Sequence, residues 1–121
     1  MRAACNFQFV QKILLAGKNF VFPQDILIVG IERGAFTGLE ELTELVIPEG
    51  VVVIKNAFNH CDNLKTVVIP RSVKELSQDA FSYNKGLTIL YKGSEEEWSQ
   101  IVLKQYAIRG VSRVIYDYSE N

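Results

Sequence analysis

Leu42-Thr43-Glu44-Leu45-Val46-Ile47-Pro48, followed by Val51, Ile54, Ala57-Phe58, Cys61 and Leu64, is one unit of a repeat. The next unit reads Leu64, Val67, Ile69, Pro70, Val73, Leu76, Ala80-Phe81, Asn84 and Leu87, and the preceding one supplies Ile31, Ala35-Phe36, Leu39 and Leu42. The Ala-Phe pairs lie 22 and then 23 residues apart. A period of that length means stacked supersecondary units. Within a unit the strand alternates, so Leu45 and Ile47 face one side while Glu44 and Val46 face the other. Proline cannot donate a ladder hydrogen bond, so Pro48 and Pro70 stop the strand and turn the chain. The spacing of three through Val51, Ile54 and Ala57 returns a side chain to the core at each short step. Alanine lets the backbone pass close to the next coil. The adjacent phenylalanine fills the layer behind it, so Phe36, Phe58 and Phe81 should form one aromatic spine.

The pattern extends outward in both directions. Phe20-Val21-Phe22-Pro23 matches Leu45-Val46-Ile47-Pro48, with 12 residues from Pro23 to Ala35 and hence an insertion in that coil. Val111-Ser112-Arg113-Val114-Ile115-Tyr116 matches the same template. Five strands are therefore expected, near residues 19–22, 44–47, 66–69, 89–92 and 113–116. Gly93 stands where a third proline would, and Ser94-Glu95-Glu96-Glu97-Trp98 reads as a helix start with Ser94 and Glu97 as a capping box. The acidic triplet suits the positive end of the helix dipole. Trp98, Ile101, Val102 and Gln105 share a helical face, so a capping helix over about residues 95–104 is expected, with Trp98 lying over the end of the core. Residues 1–18 form an N-terminal cap. A helix with Asn6 as N-cap, Gly17 after its end and Phe7, Val10, Ile13 and Leu14 on one face is favoured, although strand alternation through Phe7/Phe9 and Ile13/Leu15 also fits. The remainder, residues 19–121, is the solenoid.

With its Ala-Phe core positions and Pro-terminated strands, the pattern Leu-x-x-Val-x-Ile-Pro-x-x-Val-x-x-Ile/Leu-x-x-(x)-Ala-Phe-x-x-Cys/Asn-x-x-Leu resembles the BspA-type leucine-rich repeat. Tyr91 to Trp98, with Tyr116 to Glu120 after the last strand, resembles the way arrays of this family end. The resemblance covers about residues 19–121. It implies an α/β repeat protein, a right-handed solenoid of about five coils with a short parallel β-sheet on its concave face. It also implies a bacterial protein of the cell surface or a secreted adhesin. It supplies no catalytic residues.

Bulk properties narrow the function. The chain has 121 residues, 48% hydrophobic and 22% charged, with a net charge of −1. That composition suits one soluble folded domain and gives no electrostatic case for nucleic acid or an anionic membrane. No apolar run approaches the ~18 residues of a membrane span. Asn6, Gln8, Gln11 and Lys12 interrupt any apolar run near the start, so no clear secretory signal is read. Two cysteines, Cys5 and Cys61, do not make a disulfide framework and are read as reduced thiols, Cys61 facing the core. His60 and Cys61 are adjacent and point in different directions, so they are not read as a metal pair or a nucleophile–base pair. Glu40, Glu41 and Glu44 cluster without an acid/base partner. No cofactor, metal or catalytic residue is expected.

What remains is a surface. Aligning the five strands puts Val21, Val46, Val68, Tyr91 and Ile115 at one outward position. Asn19, Glu44, Thr66, Ile89 and Arg113 occupy the other. Val21, Glu44, Val46, Thr66, Val68, Ile89, Tyr91, Arg113 and Ile115 are thus the candidate binding residues. An exposed apolar row is a binding surface by default, although β-branched residues also simply suit a parallel ladder. The expected function is non-catalytic binding of a protein or glycoprotein, by a monomer or a weakly self-associating chain. The alternative is a structural piece of a longer array.

Overall fold

The computed structural model describes residues 2–14 and 20–120. In chain order its elements are β1 (Arg2–Cys5), α1 (Phe7–Leu14), β2 (Leu27–Ile31), β3 (Glu44–Val46), β4 (Val53–Ile54), β5 (Thr66–Ile69), β6 (Glu75–Leu76), β7 (Leu87–Tyr91), α2 (Glu95–Trp98), β8 (Val102–Leu103) and β9 (Val111–Ile115). They wind into about five coils of a parallel β-solenoid with two sheets. One sheet runs β1-β2-β4-β6-β8 and the other β3-β5-β7-β9. The first coil carries β1, α1 and residues 20–23. The second carries β2 and β3, the third β4 and β5, the fourth β6 and β7, and the fifth β8 and β9.

The sheet of β3, β5, β7 and β9 holds four of the five expected strands. The sheet of β1, β2, β4, β6 and β8 was not expected. Its third strand is the Val51-to-Ile54 stretch, whose spacing of three was taken for a simple return to the core. Ile54 and Leu76 do return there, fully buried. The backbone between the core residues nevertheless pairs with neighbouring coils, because stacked buried backbone has no other source of hydrogen bonds. Pro48 and Pro70 connect the two sheets. Their carbonyls accept from the Val51 and Val73 N–H groups at 3.4 Å.

At the opposite corner the spine forms as expected. Phe36 and Phe58 stack with centroids 5.4 Å apart and rings within 10° of parallel, and Phe58 and Phe81 do so at 5.3 Å and 12°. Phe20 extends the spine edge-on, 4.9 Å from Phe36. Two polar contacts bind the coils behind the rings. The Cys61 thiol donates to the Phe36 carbonyl at 2.9 Å, and Asn84 Nδ2 donates to the Cys61 carbonyl at 3.4 Å.

Residues 20–22 keep strand alternation without being a strand. Phe20 and Phe22 are buried and Val21 is exposed, but the backbone does not pair with β3. Contacts of Phe20 and Phe22 with each other and with Phe36 hold the segment instead. At the start of the chain, Asn6 Oδ1 accepts from the Phe9 N–H at 2.9 Å and caps α1, whose Val10 is buried. Gly17 lies outside the described residues, as do the side chains of Ile13 and Leu14. Residues 2–5 do more than cover the second coil. They add β1 to the sheet beside β2.

The helix expected over residues 95–104 is a single turn, α2. Its capping box is complete: Ser94 Oγ accepts from the Glu97 N–H at 3.1 Å, and the Ser94 N–H donates to Glu97 Oε1 at 3.0 Å. It stops at Trp98 because the next residues are needed as a strand. The Val102 N–H donates to the Lys74 carbonyl and the Lys104 N–H to that of Leu76, at 2.9 and 3.0 Å, which satisfies the edge of β6. Trp98 and Ile101 are buried, while Val102 and Gln105 are exposed. Trp98 packs edge-on against Tyr91 at 5.2 Å.

Candidate interaction surface

Side chains that leave the β3-β5-β7-β9 sheet away from the core fall in two rows fixed by strand register. Glu44, Thr66, Thr88 and Arg113 pair in one, and Val46, Val68, Leu90 and Ile115 in the other. Three strand spacings of about 4.8 Å make each row roughly 14 Å long. Val46 is 46% exposed and Ile115 38%, whereas Val68 between them is 5% exposed yet lies outside the core cluster. Leu90 is half-buried. The apolar row is therefore continuous, buried at Val68, half-buried at Leu90 and open at both ends. Beside it, exposed Glu44 and Arg113 stand at opposite ends with half-buried Thr66 and Thr88 between them.

This geometry corrects two of the expected surface residues. Tyr91 pairs with Ile69 and Ile89 with Val67, and both face the core, 1% and 0% exposed. The reason is a register slip of one residue. The second and third coils enter their strands as Leu42-x-x-Leu45 and Leu64-x-x-Val67, but the fourth enters as Leu87-x-Ile89, one residue shorter. Aligning on the leucines displaces β7 by one, and a one-residue displacement exchanges the faces of every side chain. Thr88 and Leu90 are the surface residues missed. The alternation of Leu87, Ile89 and Tyr91 was their signal. Tyr91 is instead held beneath Gly93, where a Cβ would lie 2.6 Å from the ring. Val21 is exposed in the first coil but off the ladder.

His60 is exposed on a left-handed backbone, φ 62°, and Cys61 beside it is buried. Among the described residues, no group of three or more His, Cys, Asp or Glu is placed to hold a metal ion. Nor is any helix among them long and apolar enough to cross a membrane. Both cysteines are free and buried. Burial, and after it the charge of Glu32, pushes the Cys5 thiol up to about 12, and burial also raises that of Cys61. An unfolded thiol ionises near 9.0, so unfolding releases protons between that pH and about 12. The stability Cys5 contributes is complete below pH 9 and is lost as pH rises toward 12. Accordingly, neither native thiol should react with Ellman's reagent at pH about 8, where a folded thiol is protonated and enclosed. Both should react on denaturation. Rapid labelling of the native protein would contradict this burial.

The repeat geometry agrees with sequence comparison, where the BspA type leucine rich repeat region matches residues 12–106 in six copies. The chain belongs to the BspA-type leucine-rich repeat family. No curated protein and no solved structure matches it. Leucine-rich repeat solenoids are repeat-based binding or structural modules, typically not enzymes, and the BspA type is associated with bacterial surface proteins. The two parallel sheets and the Ala-Phe corner are how this BspA-type chain builds its repeat.

Proposed function

We propose that this BspA-type chain is a non-catalytic binding module of the bacterial surface, which takes a protein or glycoprotein partner on the outward face of the β3-β5-β7-β9 sheet. One observation carries the reading: the row Val46–Val68–Leu90–Ile115 on the outward face is apolar from end to end, exposed at Val46 and Ile115, and flanked by opposite charges at Glu44 and Arg113. An apolar centre with a polar rim is the composition of a binding patch, and the two rim charges give a partner its direction. Val46, Leu90 and Ile115 supply apolar area, while Glu44, Thr66, Thr88 and Arg113 supply hydrogen bonds.

The test is a Val46→Lys, Leu90→Lys double variant, used to capture partners from the native host's surroundings beside the unaltered chain. A Leu103→Lys variant, altered on the other sheet, serves as control. Binding should fall at least about thirtyfold in the double variant, as for loss of an interface hot spot, and should persist in the control. Retention by the double variant, with an unchanged circular dichroism spectrum, would remove this face from the reading.

A second reading, self-association, is favoured by the fifth coil, where Val102, Leu103 and Tyr106 are all at least 41% exposed. Light scattering decides it. A monomer at the concentrations used for capture would count against it.

A further inference from the structure

The link from the first sheet to the alanine of the Ala-Phe corner has three residues in the second, fourth and fifth coils: Glu32-Arg33-Gly34, Ser77-Gln78-Asp79 and Lys104-Gln105-Tyr106. In the third coil it has only two, Lys55-Asn56. The third residue of each long link is left-handed, with φ 76° at Gly34, 60° at Asp79 and 60° at Tyr106. These residues form small bulges, and the short link leaves a gap between two of them. At this corner, the Gly34 and Phe36 N–H groups donate to the Asn56 and Ala57 carbonyls, and those of Asp79 and Phe81 to the Gln105 and Ala107 carbonyls. Among the described residues, no matching bond joins Asn56 or Phe58 to the fourth coil. The gap is a cleft of about 270 Å3 lined by Arg33, Lys55, Asn56, Ser77, Gln78 and Asp79.

The chemistry of the lining is specific. Lys55 Nζ holds Glu32 Oε1 at 3.0 Å, Asp79 Oδ1 accepts from Ser82 Oγ at 2.7 Å, and Ser77 Oγ donates to Glu75 Oε2 at 3.0 Å. Two cations, Arg33 and Lys55, and three carboxylates, Glu32, Glu75 and Asp79, lie in or beside the cleft, so charges of both signs are mixed there and neither dominates strongly. Asn56 Oδ1 is buried without a partner, an arrangement that costs free energy until a donor arrives. Neither amide atom of Asn56 has a hydrogen bond among the described residues, so turning the amide toward a ligand would break none. The lining thus holds donors on Arg33 and Lys55, acceptors on Asn56 and Asp79, and both on Gln78. A hydroxyl group donates and accepts at once, and neighbouring hydroxyls match such a lining. The volume lies just below the usual range for ligand sites, so the cleft suits nothing larger than a single ring.

We propose that this notch binds one neutral sugar residue through its ring hydroxyls, a site separate from the apolar row. The test is an 1H–15N NMR titration of the whole chain with the methyl glycosides of glucose, galactose and mannose, with N-methylacetamide and acetate as peptide and anion probes. At least one glycoside should produce saturable shifts at Arg33, Asn56 and Gln78 in the millimolar range, and both other probes should bind more weakly. A glycine inserted between Asn56 and Ala57 restores the third residue of the link and should abolish the shifts. Should that chain fail to fold, Asn56→Leu should weaken binding about tenfold. No saturation with any glycoside, equal binding of either other probe, or shifts that survive both changes would overturn the proposal.

Discussion

Replacing Phe58 with alanine is expected to cost about 3–5 kcal/mol and to lower the melting temperature by more than about 10 °C. Phe58 is the middle ring of the spine, 1% exposed and stacked on Phe36 and Phe81. Deleting it loses the burial of one ring, opens a cavity and breaks two aromatic contacts together. The walls cannot easily close, because the flanking rings are held by their own coils. Phe58→Leu fills most of the space and should cost clearly less. Urea denaturation of both variants measures the difference. If Phe58→Ala were no worse than Phe9→Ala, at a half-buried site in the first coil, the spine would not be the axis of the core.

Gly110→Ala is expected to cost about 3 kcal/mol, through overlap instead of loss. A Cβ at Gly110 would run into the backbone carbonyl oxygens of Phe81 and Asn84. Backbone does not yield as a side-chain tip does, so the fifth coil would have to lift from the fourth. That motion strains the bond from the Phe81 N–H to the Ala107 carbonyl, at 2.8 Å, and the one from the Leu87 N–H to the Gly110 carbonyl, at 3.2 Å. Hydrogen exchange should show β9 losing protection before the rest of the chain. Gly38→Ala is the control. Gly38 has φ 80° but open space around its Cβ position, so only the left-handed conformation is penalised, about 1 kcal/mol. Equal costs for the two would show that the fifth coil is not packed as closely as described.

Much of this fold is legible from residue identity because the core positions repeat. Ala35, Ala57 and Ala80 mark the close approach of coils, and the phenylalanines beside them predict the stack that forms. The second sheet is not legible in the same way. Strands as short as Val53–Ile54 and Glu75–Leu76 have too few residues to show a period, and only their stacking gives them hydrogen-bond partners. Trp98 and Ile101 likewise fit a helical face and are buried as that face requires. The unpaired edge of β6 nevertheless claims Val102 and Leu103 and ends the helix after one turn. On the candidate surface, Val46, Val68, Arg113 and Ile115 were readable because β3, β5 and β9 enter their strands with the same spacing. Ile89 and Tyr91 were misplaced because β7 does not. The notch was invisible for a related reason: a missing residue at Lys55–Asn56 reads as ordinary variation in spacing until the neighbouring coils enclose the gap.

The contacts of Cys61 with the Phe36 carbonyl and of Asn84 with the Cys61 carbonyl share a direction. In each, the acceptor is made earlier in the chain than the donor that satisfies it. The Gly34, Phe36, Asp79 and Phe81 N–H groups run the other way, donating to carbonyls one coil later, so coils are tied by bonds of both directions. A coil that detached would leave unpaired groups on its neighbour and on itself, so adjacent coils are coupled and should open together.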